Sequence, residues 1–195
     1  MASRGWRVQR IYQMKVTLQG SQPPIWRRLL VPSETTLQEL HKILKVTIGW
    51  TGSHLHQYRC GSTYYGAPDP EFGMECVCEK STLLAEVLTR PGSRMVYEYD
   101  FGDGWEHDVV LEKVVAPLPD QVYPVAADGK GACPPEDVGG IGGYAHFLEA
   151  MHDHAHPDHP EMVDWCGGVF DPNRFDLQGI NRTLQRRRKR TKPDA

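Results

Sequence analysis

Residues 95–115 constrain this chain more than any other segment. Met95-Val96-Tyr97-Glu98-Tyr99-Asp100-Phe101 has the β-branched and aromatic content and the two-residue alternation of a strand. Gly102-Asp103-Gly104 supplies turn residues, and Trp105 to Val115 reads as the returning strand. Two strands joined by so short a turn pair antiparallel. Period-two geometry puts Tyr97, Tyr99 and Phe101 on one face and Glu98 and Asp100 on the other.

A similar pattern opens the chain. Alternation from Tyr12 to Leu18 predicts a strand, Gln19 to Pro24 a turn, and Ile25 to Val31 a second strand. Thr35-Thr36 followed by Glu39 makes a capping-box start for a helix carrying Leu37, Leu40, Ile43, Leu44 and Ile48 on one face, with Gly49 to stop it. Strand, strand, amphipathic helix is a β-grasp-like opening. His54 to Cys60 alternates as another strand, residues 61–80 read as loop, and Leu83 to Leu88 as a short helix. Residues 116–143 are rich in Pro and Gly and read as loop. Helices are expected at Tyr144 to Met151, near Glu161 to Trp165, and from about Asp176 to Arg187 with Ile180 and Leu184 buried. With 19 Gly and 15 Pro among 195 residues, these elements describe an α+β domain with a mixed sheet and a helical C-terminal part, not a helical bundle. The domain is expected to span residues 1–181, followed by a flexible basic tail over 182–195.

The formal charge of −3 divides unevenly, with +6 on residues 182–195 and −9 on the rest. An acidic body repels a duplex, so nucleic-acid contact is expected to be weak, salt-sensitive and carried by Arg186, Arg187, Arg188, Lys189 and Arg190. No apolar run reaches the ~20 residues of a membrane-spanning helix. Met1 to Arg7 lacks the apolar core of a signal peptide, so a cytoplasmic location is expected. Five cysteines (Cys60, Cys76, Cys78, Cys133 and Cys166) without a secretory signal predict free thiols.

Four segments carry candidate chemistry. His54 and His56, two residues apart on a strand, can point at one ion. Asp100, Asp103 and His107 can approach one another across the hairpin turn, and two carboxylates with an imidazole suit a divalent ion such as zinc or a general acid–base pair. Cys133-Pro134-Pro135-Glu136-Asp137-Val138-Gly139-Gly140 leads glycines into a helix. It lacks the GxGxxG and Walker patterns of phosphate loops, and Glu136 and Asp137 repel phosphate. Residues 154–159 spell HxHxDH, the spacing of metallo-β-lactamase zinc ligands. The segment follows a helical pattern instead of a strand, and no His lies downstream to complete that set. A polar helix end accounts for these His residues.

Pro24-Ile25-Trp26-Arg27-Arg28, Leu40-His41, Gly49-Trp50 and Ser53-His54-Leu55-His56 resemble the plasmid pRiA4b ORF-3-like family. So do Tyr99-Asp100-Phe101-Gly102-Asp103 with Trp105 and His107, Cys133 to Gly140, His156-Pro157-Asp158-His159, Trp165, Phe170-Asp171-Pro172, Phe175-Asp176 and Asn181. The resemblance spans about residues 10–185, with Ile141-Gly142 standing where the family often has prolines. It implies an α+β domain associated with plasmids or insertion elements, where such proteins carry a resolvase-like label. The Arg-rich catalytic domain and helix-turn-helix of a serine resolvase are not found in the sequence. The resemblance thus implies a fold and a setting, not a reaction.

Two functions follow. One is a binding or accessory module with a protein partner, resting on the aromatic-rich strands with Tyr64, Tyr65, Tyr97, Tyr99 and Trp105. The other is a metal-dependent hydrolase or nuclease-like enzyme, with His54, His56, Asp100, Asp103 and His107 as ligands and Glu106, Glu136 or Asp137 as base for a metal-bound water.

Overall fold

The expected hairpin is the centre of the sheet. A computed structural model describes residues 10–68 and 75–191. In it, β6 (Arg94–Tyr99) pairs antiparallel with β7 (Trp105–Val115). β1 (Ile11–Leu18) lies against the other side of β7 and pairs with β2 (Trp26–Pro32), both antiparallel. β3 (His56–Cys60) adds to the free side of β6, and β4 (Thr63–Gly66) pairs with β3. β5 (Val77–Cys78) joins β4 in parallel at one edge, and β8 (Val125–Lys130) joins β2 at the other. The result is a mixed eight-stranded sheet in the order β5-β4-β3-β6-β7-β1-β2-β8.

Alternation decides which face is covered. Met14, Val16, Leu29, Val31, Tyr58, Met95, Tyr97, Tyr99, Trp105, Val109 and Leu111 are buried on one face. Against them packs α1 (Leu37–Ile48), which starts at the Thr36–Glu39 capping box and buries Leu37, Leu40, Ile43, Leu44 and Ile48. Tyr58 and Tyr97 seal the contact, because the Tyr58 hydroxyl donates to the Leu37 carbonyl and the Tyr97 hydroxyl meets His41 Nδ1 at 2.9 Å. The opposite face is polar, with Arg28 gripping Glu112 at 2.8 and 3.0 Å. Tyr97, Tyr99 and Trp105 are therefore core residues, and only Tyr64 among the five candidate aromatics is exposed.

The remaining helices are α2 (Leu84–Val87), α3 (Gly140–His152), α4 (His159–Trp165) and α5 (Leu177–Thr191). Tyr144 and Phe147 of α3 meet Phe170 edge-on and bury the helix. α5 buries Leu184 and continues through the basic run to Thr191, past the expected end at Arg187, because Arg and Lys sustain a helix well. Residues 192–195 and 1–9 lie outside the described residues.

Two stretches expected to be loop contain strands. β4 and β5 fall within 61–80, and β8 within 116–143. β8 is short of apolar residues because its outer edge is satisfied by a side chain. The Asn181 amide of α5 accepts from the Ala126 N–H at 2.8 Å and donates to the Ala126 carbonyl at 2.9 Å, imitating another strand.

Arg27 joins the edge of the sheet to α1. Its guanidinium, 3% exposed, donates to the carbonyls of Thr47 at 2.6 Å and Ile48 at 3.3 Å, which α1 leaves unpaired at its C-terminal end. It also donates to Lys130 of β8 at 2.8 Å and to Trp26 at 2.9 Å, and lies 4.7 Å from the centre of the Phe175 ring. Burial lowers its pKa to about 10, so it stays charged at neutral pH. Gly49 ends α1 at φ 124, and any side chain there would strike Cys133, whose thiol is pushed up in pKa by burial and is no nucleophile.

His107 is a core residue, not a ligand alongside Asp100 and Asp103. It lies on the buried face of β7 with Nδ1 3.3 Å from the Tyr97 carbonyl, and its Nε2 has no partner among the described residues. Burial lowers its pKa to about 4, so the folded protein holds it neutral.

Removing the Arg27 guanidinium in Arg27→Met leaves several buried carbonyls unpaired, with an expected loss of about 3 kcal/mol in chemical denaturation. Arg27→Lys is expected to recover only part, since one ammonium cannot reach carbonyls on both α1 and β8. His107 makes stability pH-dependent. Its pKa is near 6.5 unfolded and about 4 folded, so the unfolded chain binds more protons between those values. Its contribution is complete above pH 6.5 and is lost as pH falls towards 4, amounting to about 3 kcal/mol. Denaturation of the protein and of His107→Leu across that range measures it. The variant is expected to show the shallower pH dependence.

Candidate functional site

Three loops meet beyond the ends of β3, β6 and β7. They are Trp50 to Leu55 after α1, Asp100 to Gly104 between β6 and β7, and Cys133 to Gly139 before α3. Tyr99 is their common anchor. Its ring packs on Trp50 at 5.3 Å, and its hydroxyl accepts from the N–H groups of Gly52 at 3.0 Å and His54 at 3.4 Å. The same hydroxyl donates to Glu136 Oε1 at 2.8 Å. Glu136 also accepts from the Thr51 N–H at 2.9 Å and from the Thr51 hydroxyl. Burial works to raise the Glu136 pKa, but these hydrogen bonds outweigh it and hold the carboxylate charged. Burial and the Glu136 contact push the Tyr99 hydroxyl up to about 12. Glu136 thus buckles two loops together, and both its oxygens are engaged.

The second join runs through the hairpin turn. Asp100 adopts φ 59, which ends the alternation of β6 there, so Asp100 turns inward and Phe101 is exposed. Its N–H donates to the Leu55 carbonyl at 2.9 Å, its carbonyl accepts from Gly104 at 2.7 Å, and its Oδ1 accepts from Gly102 N–H at 3.0 Å. Asp103 Oδ2 accepts from Gly139 N–H at 3.2 Å. Gly140, at φ 66, lies so close to the Asp103 carbonyl that a side chain there would collide with it.

Between these joins stands His54. Its Nδ1 lies 3.5 Å from Asp100 Oδ2, and its Nε2 lies 3.3 Å from Asp137 Oδ1. Ligand atoms of His54, Asp100 and Asp137 all fall within 4.8 Å of one another. The Asp100 side chain is 12% exposed and that of Asp137 is 71% exposed, so the group is walled on one side and open on the other. Two ligands of a tetrahedral zinc ion stand about 3.3 Å apart, which matches the spacing between His54 Nε2 and Asp137. A carboxylate on the opposite ring nitrogen, here Asp100, is how many metal-bound imidazoles are oriented. Leu55 and Phe101 form an exposed apolar rim next to these residues.

The other sequence candidates divide clearly. His56 does not share an ion with His54. Its Nε2 meets Glu79, 3% exposed, at 2.7 Å, and its ring stacks on His41 with centroids 3.4 Å apart. Burial, then the neighbouring His56 and lysines, lower the His41 pKa to about 3, so His41 is neutral. Glu106 pairs with Arg59 at 3.5 Å. Asp103 reaches the loop of Asp137 but binds its backbone. Arg186 and Arg187 are exposed on α5, and the side chains of Arg188, Lys189 and Arg190 lie outside the described residues. Tyr99 stands out in the sequence as an aromatic of a strand, not as a hydrogen-bonding hub, and Thr51 does not stand out at all. Their only signal as partners was adjacency to the Asp100 and His54 segments.

Among the described residues, no helix is long and apolar enough to cross a membrane. A family model described as plasmid pRiA4b ORF-3-like protein matches residues 10–179. The chain is 40% identical over 176 residues to an uncharacterized protein, y4hQ, of Sinorhizobium fredii, covering 89% of this chain and 90% of that one. It is similar to the crystal structure of a protein of unknown function from Methanosarcina mazei Go1, with a TM-score of 0.80 and 34% identity, covering 87% of this chain and 97% of the other. The three loops around His54 all lie within the matched span. The chain therefore belongs to the plasmid pRiA4b ORF-3-like protein family.

Proposed function

We propose that this protein is a binding module whose ligand is held through a divalent metal ion at His54 and Asp137, with Asp100 orienting the His54 ring. The observation that carries this reading is the convergence of one imidazole and two carboxylates from three loops that Tyr99, Glu136 and Gly140 lock together. An imidazole and a carboxylate hold the ion and leave coordination positions open to solvent. An open metal position takes an anionic group, and the adjacent Leu55 and Phe101 suit an apolar extension of the same ligand. An accessory role beside a mobile genetic element, in the cytoplasm, agrees with the plasmid name of the family.

Metal-assisted hydrolysis is the second reading. It is favoured by the open positions themselves, which in catalytic zinc sites hold the attacking water. Asp137 then serves as a ligand, and the loops also bring the Asp103 carboxylate, on the facing turn, against Gly139.

Metal content after purification without chelator tests the site. Near-stoichiometric zinc, manganese or iron is expected in the wild type, with loss of that metal in His54→Ala and in Asp100→Asn while both variants remain folded by circular dichroism. Retention of the metal in both variants would sink the proposal. Phosphodiesterase and esterase assays of the metal-loaded protein separate the readings, since turnover lost in His54→Ala supports hydrolysis and its absence supports binding.

A further inference from the structure

The histidine-rich stretch between α3 and α4 holds a second ligand group, well separated in sequence from His54. His146 projects from the middle of α3, while His156 and Asp158 come from the loop that leads into α4. Ligand atoms of these three side chains lie within 4.8 Å of one another. His146 Nε2 is 3.0 Å from Asp158 Oδ2, and His156 Nδ1 is 4.0 Å from the same oxygen. Those two spacings bracket the ~3.3 Å that separates ligands on a tetrahedral zinc ion. The rings of His146 and His156 meet edge-on with centroids 5.4 Å apart, so they converge without stacking.

The geometry of Asp158 is the second observation. Asp158 occupies the N-cap position of α4, where an aspartate ordinarily accepts from an N–H of its own helix. Here its side chain makes no such bond and turns to His146 instead. Its backbone N–H donates to His156 Nδ1 at 3.1 Å and holds the ring, 20% exposed, beside the carboxylate, a bond that must open for that lone pair to take an ion. Next along the chain, His159 donates from Nδ1 to the Ala150 carbonyl at 2.8 Å, and its Nε2 lies 3.0 Å from His154 Nδ1.

We propose that His146, His156 and Asp158 bind a borderline divalent cation of the zinc type, which pins the α3–α4 loop to the side of α3. Two imidazoles and one carboxylate give a ligand set for zinc rather than for calcium or magnesium, which take mainly oxygen ligands. The ion takes the place of the proton between His146 Nε2 and Asp158 Oδ2, and the neutral His146 ring then carries its one proton on Nδ1. The spacing of residues 154–159 alone did not show this set, because its third member, His146, lies 10 residues before His156 and is brought in by the helix.

Zinc titration by calorimetry, with tag-free protein stripped by chelator and then freed of it, tests the site. The wild type is expected to bind two equivalents if the His54 centre also holds metal. His54→Ala is then expected to retain one, and His54→Ala/His146→Ala none tighter than about one-tenth of that affinity. Zinc is expected to raise the melting temperature of His54→Ala and not that of the double variant. Because the His146 side chain is 51% exposed, the metal-free variants are expected to melt together, which separates lost binding from lost folding. Undiminished zinc affinity in both His54→Ala/His146→Ala and His54→Ala/Asp158→Asn would overturn the proposal. A single equivalent lost in His54→Ala would overturn it and leave the first site standing, whereas a single equivalent lost only in His146→Ala would do the reverse.

Discussion

Burying a guanidinium is the constraint on which the rest of this fold turns. Arg27 sits where β2, β8 and the end of α1 converge, and its donors reach carbonyls on all three. A charge taken out of water is costly unless every donor is matched, so the position of α1 on the sheet and the pairing of β8 are decided together. Phe175 closes over the guanidinium and draws the segment before α5 into the same cluster. α5 then returns the support, since Asn181 occupies the exposed backbone of β8 that Arg27 helps to hold. One apolar replacement at that point would loosen all three elements.

The candidate site depends on that frame. Gly49 ends α1 against Cys133, so the segments carrying His54 and Asp137 leave from neighbouring points. Tyr99 then serves both, with its ring in the core and its buried hydroxyl bonded to both loops, which is what an amphipathic aromatic does best. The hairpin turn contributes backbone strain at Asp100, whose left-handed conformation aims the carboxylate at His54. Polar groups in these loops are largely satisfied by one another. His54 and Asp137 are left with ring and carboxylate atoms facing outward.

Local pattern accounts for the elements that were legible beforehand. The hairpin of β6 and β7, the β1–β2 pair and α1 with its Thr36–Glu39 box each write their period and their ends into consecutive residues. β8 was hidden because Val125-Ala126-Ala127-Asp128-Gly129-Lys130 has little apolar alternation. It is a strand because Arg28 and Asn181 hold it on either side, not because its own residues favour one. β5, at two residues, is likewise held by β4 and not by a pattern. The pairing of His54 with His56 failed for a related reason. Residues two apart share a face, but Glu79 and His41 capture His56, while Asp100 leaves the strand geometry to meet His54.

Residue order alone thus settled the α+β class, the free thiols, the acidic body with its basic end, and which segments carry ligand-type side chains. Those properties depend on composition and on periods of two or 3.6 residues, which act over a few neighbours. Tertiary structure decided which carboxylate meets which imidazole. His54 finds Asp137, and His146 finds Asp158, across separations where the path of the chain is set by burial of Tyr99, Phe147 and Arg27. Side chains a few ångströms apart in space interact regardless of their distance along the chain, and only the packed core determines which ones those are.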